Sequence, residues 1–254
     1  MTSWIARWSL RCARHLVTGM SGTGEEESVR YQSRGTIMQE PVLDSDYWDS
    51  FYREKNDWGK PWPQVLVVAK ELQYTFGTPT IRVLDLACGN GRYTIPLAQI
   101  GACVDCIDFS EVAIAQVRTQ AKELGISDLI KTHWIDVREF LIKPCWYHLV
   151  LASGLFEYLR ESELHVLIRD VQTGTVAQGI NIFVYLLQHP QATRIIGEYP
   201  LVPGIVESIY ESSHAWQIVF SEVSLKEDCH PLEKRGKPQK HKHCVARMVA
   251  RKVR

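Results

Sequence analysis

Val83-Leu84-Asp85-Leu86-Ala87-Cys88-Gly89-Asn90-Gly91-Arg92 is the stretch on which the fold turns. It begins as an apolar run carrying one acid, passes through a Gly-x-Gly turn and enters a helical pattern over Arg92–Ile100. The apolar run Ile81–Ala87 is predicted to be a strand. Glycines allow a tight turn and let a ligand approach the backbone closely, and the helix that follows presents its N-terminus to that ligand. Gly-x-Gly alone is a weak signal; its surroundings make it specific.

Working outward, strand and helix patterns alternate. Cys103–Asp108 reads as a second strand, Glu111–Leu124 as a helix stopped at Gly125, and Ile130–Asp136 as a third strand. His148–Ser153 reads as a fourth strand, followed by Leu155–Leu159, Ser162–Thr175 as a helix, and Asn181–Leu187 as a fifth strand. Such alternation predicts a parallel sheet covered by helices on both faces. Upstream, Gln64–Phe76 is amphipathic, with Val65, Val68, Leu72 and Tyr74 broadly to one side, and Gly77-Thr78-Pro79 ends it. Downstream, Ile205–Ser213 reads as a helix. His214–Ser224 and His241–Lys252 then alternate apolar and polar residues around a Pro231–Pro238 loop, which predicts an antiparallel hairpin closing one sheet edge.

Acids end three successive strands. Asp85 is placed to order the glycine loop or reach the polar end of a ligand, Asp108 to accept both hydroxyls of a ribose, and Asp136 to accept from an adenine amino group. Each has a plainer alternative: Asp108 or Ser110 capping the next helix, and Asp136 a solvated loop residue. A nicotinamide-type site needs a third glycine where Thr94 stands. Asp85 would also repel a pyrophosphate, but suits a sulfonium. The expected cofactor shelf is Asp85, Ala87, Cys88, Gly89, Asn90, Gly91, Asp108, Phe109, Asp136, Val137, Ser153 and Trp62.

Composition narrows the classes. With 29 basic and 29 acidic residues the net charge is zero, so nothing global points to nucleic acid or to an anionic membrane. No apolar run approaches the roughly 20 residues that span a bilayer. Seven scattered cysteines do not form a disulfide framework, which implies a reducing compartment and a cytoplasmic location; Cys103 and Cys106 are read as core. Met1–Thr23 carries Arg7, Arg11, Arg14 and His15 and no acid, and Ser21–Gly35 is polar. Residues 1–37 are therefore set apart as a disordered or targeting-like extension, which would make the location organellar, or as one with no structural role. Residues 38–254 form the domain.

The loop Val83–Arg92 with Ile107-Asp108 and Ile135-Asp136 resembles the S-adenosylmethionine motifs of class I methyltransferases. That resemblance implies a three-layer α/β/α Rossmann-like fold, with a mostly parallel seven-stranded sheet and a C-terminal antiparallel hairpin. More narrowly, Tyr47 to Lys252 is similar to the tellurite-resistance methyltransferases and their thiopurine-methyltransferase-like relatives. The similarity lies in Tyr47-Trp48, the Val65-Leu66 helix, Ala87–Arg92 and Ala246-Arg247-Met248-Val249-Ala250-Arg251-Lys252. It implies S-adenosylmethionine as cofactor and a small-molecule acceptor, a tellurium or selenium oxyanion or a thiol. A tellurium, selenium or thiolate lone pair needs no general base, whereas a hydroxyl or amine does.

The family places a His and a nearby Arg on the terminal hairpin. His230 matches the His and is the candidate catalytic residue, for anion binding or proton transfer. Pro231 stands where the Arg is expected, and Arg235, Lys237 and Lys240 follow at other spacings. Tyr47, Trp48, Trp58 and Trp62 are candidates for a lid that excludes water. Cys229, His230, His241, His243 and Cys244 lack the spacing of a zinc module, so no metal is expected. Ala152-Ser153-Gly154-Leu155 stands where base and amide methyltransferases carry Asn-Pro-Pro-Tyr, so base or amide methylation is not expected; with the neutral charge and the lack of a long apolar run, neither nucleic acid nor membrane is expected as a partner, and the sequence sets no oligomeric state. The alternatives are a non-catalytic module that keeps the fold, and a methyltransferase acting on a macromolecule.

Overall fold

The computed structural model describes residues 44–54, 59–193, 197–231 and 238–253. The extension 1–37 and Trp58 lie outside them. The helices are α1 (Ser45–Arg53), α2 (Gln64–Phe76), α3 (Thr94–Gln99), α4 (Glu111–Glu123), α5 (Glu161–Gly174) and α6 (Ile205–Glu211). The strands are β1 (Arg82–Leu86), β2 (Cys103–Asp108), β3 (Ile130–Trp134), β4 (Tyr147–Ser153), β5 (Thr175–Leu186), β6 (Trp216–Pro231) and β7 (Pro238–Lys252).

They form one seven-stranded sheet in the order β3-β2-β1-β4-β5-β7-β6. The first five strands are parallel, and β7 runs antiparallel to both β5 and β6. The expected Rossmann-like architecture with its terminal hairpin is therefore the observed one.

Strand side chains alternate between two buried layers, as the two-residue period requires. Val83, Leu149, Leu151, Ile180 and Ile182 pack with Val65, Val68 and Leu72 of α2 and Ile114 and Val117 of α4. Leu84, Leu86, Val150, Phe183 and Tyr185 pack with Leu164, Ile168 and Val171 of α5 and Tyr210 of α6. Both faces are covered, so the central strands are mostly apolar, with Asp85, His148 and Asn181 as buried polar exceptions. The chain reverses between β1 and β4, where connections leave on opposite faces, and a crevice opens there at the carboxyl ends.

Several boundaries differ from the sequence reading. The helix expected over Ser162–Thr175 ends at Gly174, where a Cβ would overlap the Ile142 side chain. Thr175 instead starts β5: its Oγ1 lies 2.7 Å from the Val171 carbonyl and 2.8 Å from Asn181 Oδ1, and Asn181 Nδ2 donates to the Tyr210 hydroxyl at 2.8 Å. β3 stops at Trp134, which leaves Asp136 in the loop beyond it. β6 and β7 run on as a ribbon to Pro231 and Pro238, past the expected ends at Ser224 and His241. β7 pairs with β5 only from Val245 to Arg251, so the ribbon beyond has no sheet face to cover and lacks the apolar alternation that would have marked it.

Candidate active site

A cavity of about 920 Å³ occupies the crevice. Its walls come from the carboxyl ends of β1, β2 and β4, helix α1, the segment 60–63, the chain after β5 and one face of the hairpin.

The cofactor end grows from the glycine loop. Ala87 adopts positive φ at 52° and Gly89 at 55°, so the chain turns sharply out of β1. The Cys88 N–H is held by the Ile107 carbonyl at 2.9 Å, which fixes the loop against β2. A Cβ at Gly89 would collide with the Tyr52 hydroxyl, so α1 seats directly on the loop. Asp49 anchors the same helix by accepting from Ser110 Oγ at 2.5 Å and from the Val112 N–H at 3.2 Å. Ser110 in turn accepts from the Ala113 N–H at the start of α4. The expected capping role therefore falls to Ser110 and leaves Asp108 to the loop: Asp108 accepts from the Gly89 N–H at 2.8 Å and the Ser110 N–H at 2.9 Å.

Both cofactor-end acids are buried. Burial pushes the Asp85 carboxyl up to about 7, against the pull of the Thr94 hydroxyl, which donates to Oδ2 at 2.6 Å, and of the nearby Arg92. Burial also raises Asp108 to about 6, against the two backbone N–H donors. A site that holds two acids away from water favours their ionised forms only when donors or positive charge arrive.

Ala87, Cys88, Gly89, Asn90, Phe109, Val137, Ser153 and Trp62 all line the cavity with Asp85, Asp108 and Asp136. Gly91 does not; it turns inward, where a Cβ would press on Ile95 and Val117, and its role is to let α3 and α4 pack. Asp136 is already engaged: Arg138 donates to it from its backbone N–H and its Nε at 2.9 Å and from Nη2 at 2.5 Å, which holds the carboxyl below its ordinary range. Arg92 Nη2 donates to Ser153 Oγ at 2.8 Å, tying the loop to the end of β4.

Of the expected lid, Trp48 and Trp62 line the cavity. Tyr47 packs edge-on against Trp48, at 5.2 Å between ring centres. The Trp62 N–H is held by the Tyr93 hydroxyl at 3.2 Å, and its ring packs against Phe220. The backbone of His230 lies at the hairpin tip, paired with Gln239. The hairpin residues that reach the cavity are Lys226, Asp228, His243, Val245 and Arg247. His241 and His243 do share a face, with their Nε2 atoms 2.8 Å apart. Cys229 pairs with Lys240 and Asp228 with His241, so Cys229 is out of register with the two histidines. Among the described residues no three His, Cys, Asp or Glu side chains converge as metal ligands.

The other end of the cavity was not anticipated from sequence. After β4, the turn Phe156–Tyr158 buries Glu157, and Glu198 arrives from the chain between β5 and α6. Tyr158 donates to Glu198 Oε1 at 3.2 Å. Burial raises Glu157 to about 8, with Glu198 adding to it, and burial raises Glu198 to about 7. The available signal was an acid placed inside the apolar run Leu155-Phe156-Glu157-Tyr158-Leu159 directly after a strand.

With this geometry in place, comparison with known proteins is informative. Residues 83–179 match the family described as Methyltransferase domain. The TehB crystal structure from Haemophilus influenzae superposes with a TM-score of 0.64 at 21% identity, covering 81% of this chain and 67% of that one. Magnesium protoporphyrin IX methyltransferase (ChlM) from Synechocystis PCC 6803 with bound SAM gives a TM-score of 0.56 at 18% identity, covering 82% of this chain and 98% of that one. Among curated sequences, 23S rRNA (uracil(1939)-C(5))-methyltransferase RlmD of Shewanella sp. (strain ANA-3) is 36% identical over 67 residues, 26% of this chain. The match spans 15% of that protein's length. Residues 83–179 thus match a methyltransferase domain, and the chain shares the fold of the TehB and ChlM structures.

Proposed function

We propose that the protein transfers the methyl group of S-adenosylmethionine to a small molecule held in the cavity. One observation carries this reading: the crevice beside the glycine loop continues under α1 and against the hairpin, so that the whole cavity, walled by the chain itself, measures about 920 Å³. Cofactor pockets of this kind commonly run to several hundred Å³, so the volume leaves room for a second, small reactant. The bound cofactor supplies an electrophilic methyl group; the residues of this chain hold, orient and exclude water.

In this reading Asp108 accepts from the ribose hydroxyls and Asp85 faces the positively charged end of the cofactor, each ionising as its partner arrives. Gly89 and Asn90 lie against the cofactor with their backbone, and Phe109 and Val137 flank the adenine. Asp136 accepts from the adenine amino group through whatever capacity Arg138 leaves it. Trp48 and Trp62 shield the transfer from water. Holding two reactants in line can itself contribute several kcal/mol to the rate. His230, at the hairpin tip, is the candidate contact to an anionic acceptor.

Of the acceptors that the resemblance implies, a tellurium or selenium oxyanion would be drawn by Lys226 and Arg247 on the hairpin wall. The buried Glu157 and Glu198 weigh against an anion. A thiol is compatible with both.

Calorimetric titration with S-adenosylmethionine tests the proposal. Wild-type protein should bind in the micromolar range. Asp108→Ala should weaken binding by about 100-fold, since a buried charged acceptor contributes about 2–3 kcal/mol. A well-folded wild type that binds no cofactor overturns the reading.

A further inference from the structure

Resting on that reading, the structure assigns the acceptor a chemical class. We propose that the acceptor is an amine that arrives as a cation, held by Glu157 and Glu198 beside the rings of Trp48 and Tyr158, and that Glu157 receives the proton its nitrogen loses.

Three independent features meet at this end of the cavity. Glu157 lines the wall with only 4% of its surface exposed. Backbone N–H groups of Glu157 itself and of Leu186 face its carboxyl, yet Oε2 has no hydrogen-bond partner among the described residues. Leaving that buried oxygen unsatisfied costs about 1–3 kcal/mol, which a donor or positive charge reaching the carboxyl from the cavity would offset. Glu198 lines the same wall and is 8% exposed; its Oε1 accepts from Tyr158, and no ion pair within the described residues neutralises it or Glu157. Aromatic faces complete the set: Trp48 and Tyr158 both line the cavity and meet edge-on, with ring centres 5.4 Å apart. Carboxylates combined with aromatic rings and shielded from water are the chemistry that selects an ammonium group over a neutral or anionic one.

The two acids are distinct from those serving the cofactor. Asp85 and Asp108 sit on β1 and β2, whereas Glu157 follows β4 and Glu198 follows β5, so the site spans the crevice. For transfer, the ammonium first gives one proton to the Glu157 carboxylate, which passes it to solvent and is again ionised, and becomes a neutral amine. The nitrogen lone pair then forms the new N–CH3 bond. The S–CH3 bond breaks with its electron pair going to sulfur, which leaves neutral S-adenosylhomocysteine. A proton on the resulting methylammonium passes to the Glu157 carboxylate and from there to solvent. No oxidant or metal is required.

The test uses the full chain saturated with S-adenosylhomocysteine, titrated with choline, with its neutral isostere 3,3-dimethylbutan-1-ol, and with tellurite. Choline should bind at least tenfold more tightly than the alcohol. Repeating the titration in buffers of different ionisation enthalpy should show release of about one proton per site, because the cation ionises a carboxyl that the empty pocket keeps protonated. Glu157→Gln should abolish both the preference and the proton release, and Glu198→Gln should weaken them, while S-adenosylhomocysteine affinity stays near wild type. Equal binding of choline and the alcohol, binding of neither, tighter binding of tellurite, or an unchanged preference in Glu157→Gln each overturns the proposal. Loss of S-adenosylhomocysteine binding by the wild type instead overturns the methyltransferase reading beneath it.

Discussion

The two ends of the cavity are built differently, and the contrast explains how each can be recognised. At the cofactor end, nearly everything comes from one continuous segment and the strand next to it: a loop of five residues, one acid in β1 and one at the end of β2, locked by the hydrogen bond that the Gly89 N–H donates to the Asp108 carboxylate. At the acceptor end, side chains arrive from α1, from the turn after β4, from the chain after β5 and from both hairpin strands, some 200 residues apart in sequence. Local construction gives the first a fixed chemistry. Long-range construction leaves the second free to change acceptor without disturbing the cofactor.

The largest effect that could break this comparison is that of Asp108→Ala on cofactor affinity, about 100-fold, with the cation preference of the acceptor end retained once cofactor is supplied in excess. If both properties fail together in a folded variant, the two ends are one cooperative unit.

Gly89→Ala should weaken S-adenosylmethionine by about tenfold, because the new methyl strains a left-handed residue and displaces the Tyr52 hydroxyl. Adding Tyr52→Phe should restore part of that affinity in the same titration; no recovery would mean that α1 does not rest on the loop.

The next effect is on stability against pH. Asp85, Asp108, Glu157 and Glu198 all have folded carboxyls raised above their ordinary values, to between about 6 and about 8. The folded protein therefore binds more protons than the unfolded chain between their ordinary values near 4 and those raised values, so stability falls as pH rises through that window. Asp136, lowered by Arg138, acts in the opposite sense: its contribution is present above its ordinary range and is lost only as pH falls through its depressed folded value. The melting temperature of cofactor-free protein should accordingly decline between pH 5 and pH 8, by about 2–4 °C for each kcal/mol. Saturating S-adenosylmethionine should flatten the part due to Asp85 and Asp108, and choline the part due to Glu157.

The smallest expected effect is that of Asp136→Asn, a loss of less than about tenfold in cofactor affinity, since Arg138 already competes for the carboxylate and lies half in solvent. A larger loss would move Asp136 into the same rank as Asp108.

The sequence by itself determined the parts governed by period and by neighbours in the chain. The apolar strand runs alternating with helical stretches and the 3.6-residue stripe of α2 reflect local patterning, so the α/β/α layers and the glycine loop were legible, down to α2 beginning at Gln64 and ending at Phe76. Asp85 in β1 and Asp108 at the end of β2 were legible from the apolar runs that carry them, whereas β3 stops short of Asp136. Tertiary structure alone decided what those residues meet. It turned Gly91 into a packing position, gave Asp136 to Arg138, and ended α5 at Gly174 against Ile142. It also carried the hairpin ribbon past the sheet, where no buried face imposes a pattern. The acceptor end was hidden because burial, not identity, gives Glu157 and Glu198 their character. In the sequence each is one of 29 acids; in the folded chain the surrounding core removes their water and makes them the wall of a site.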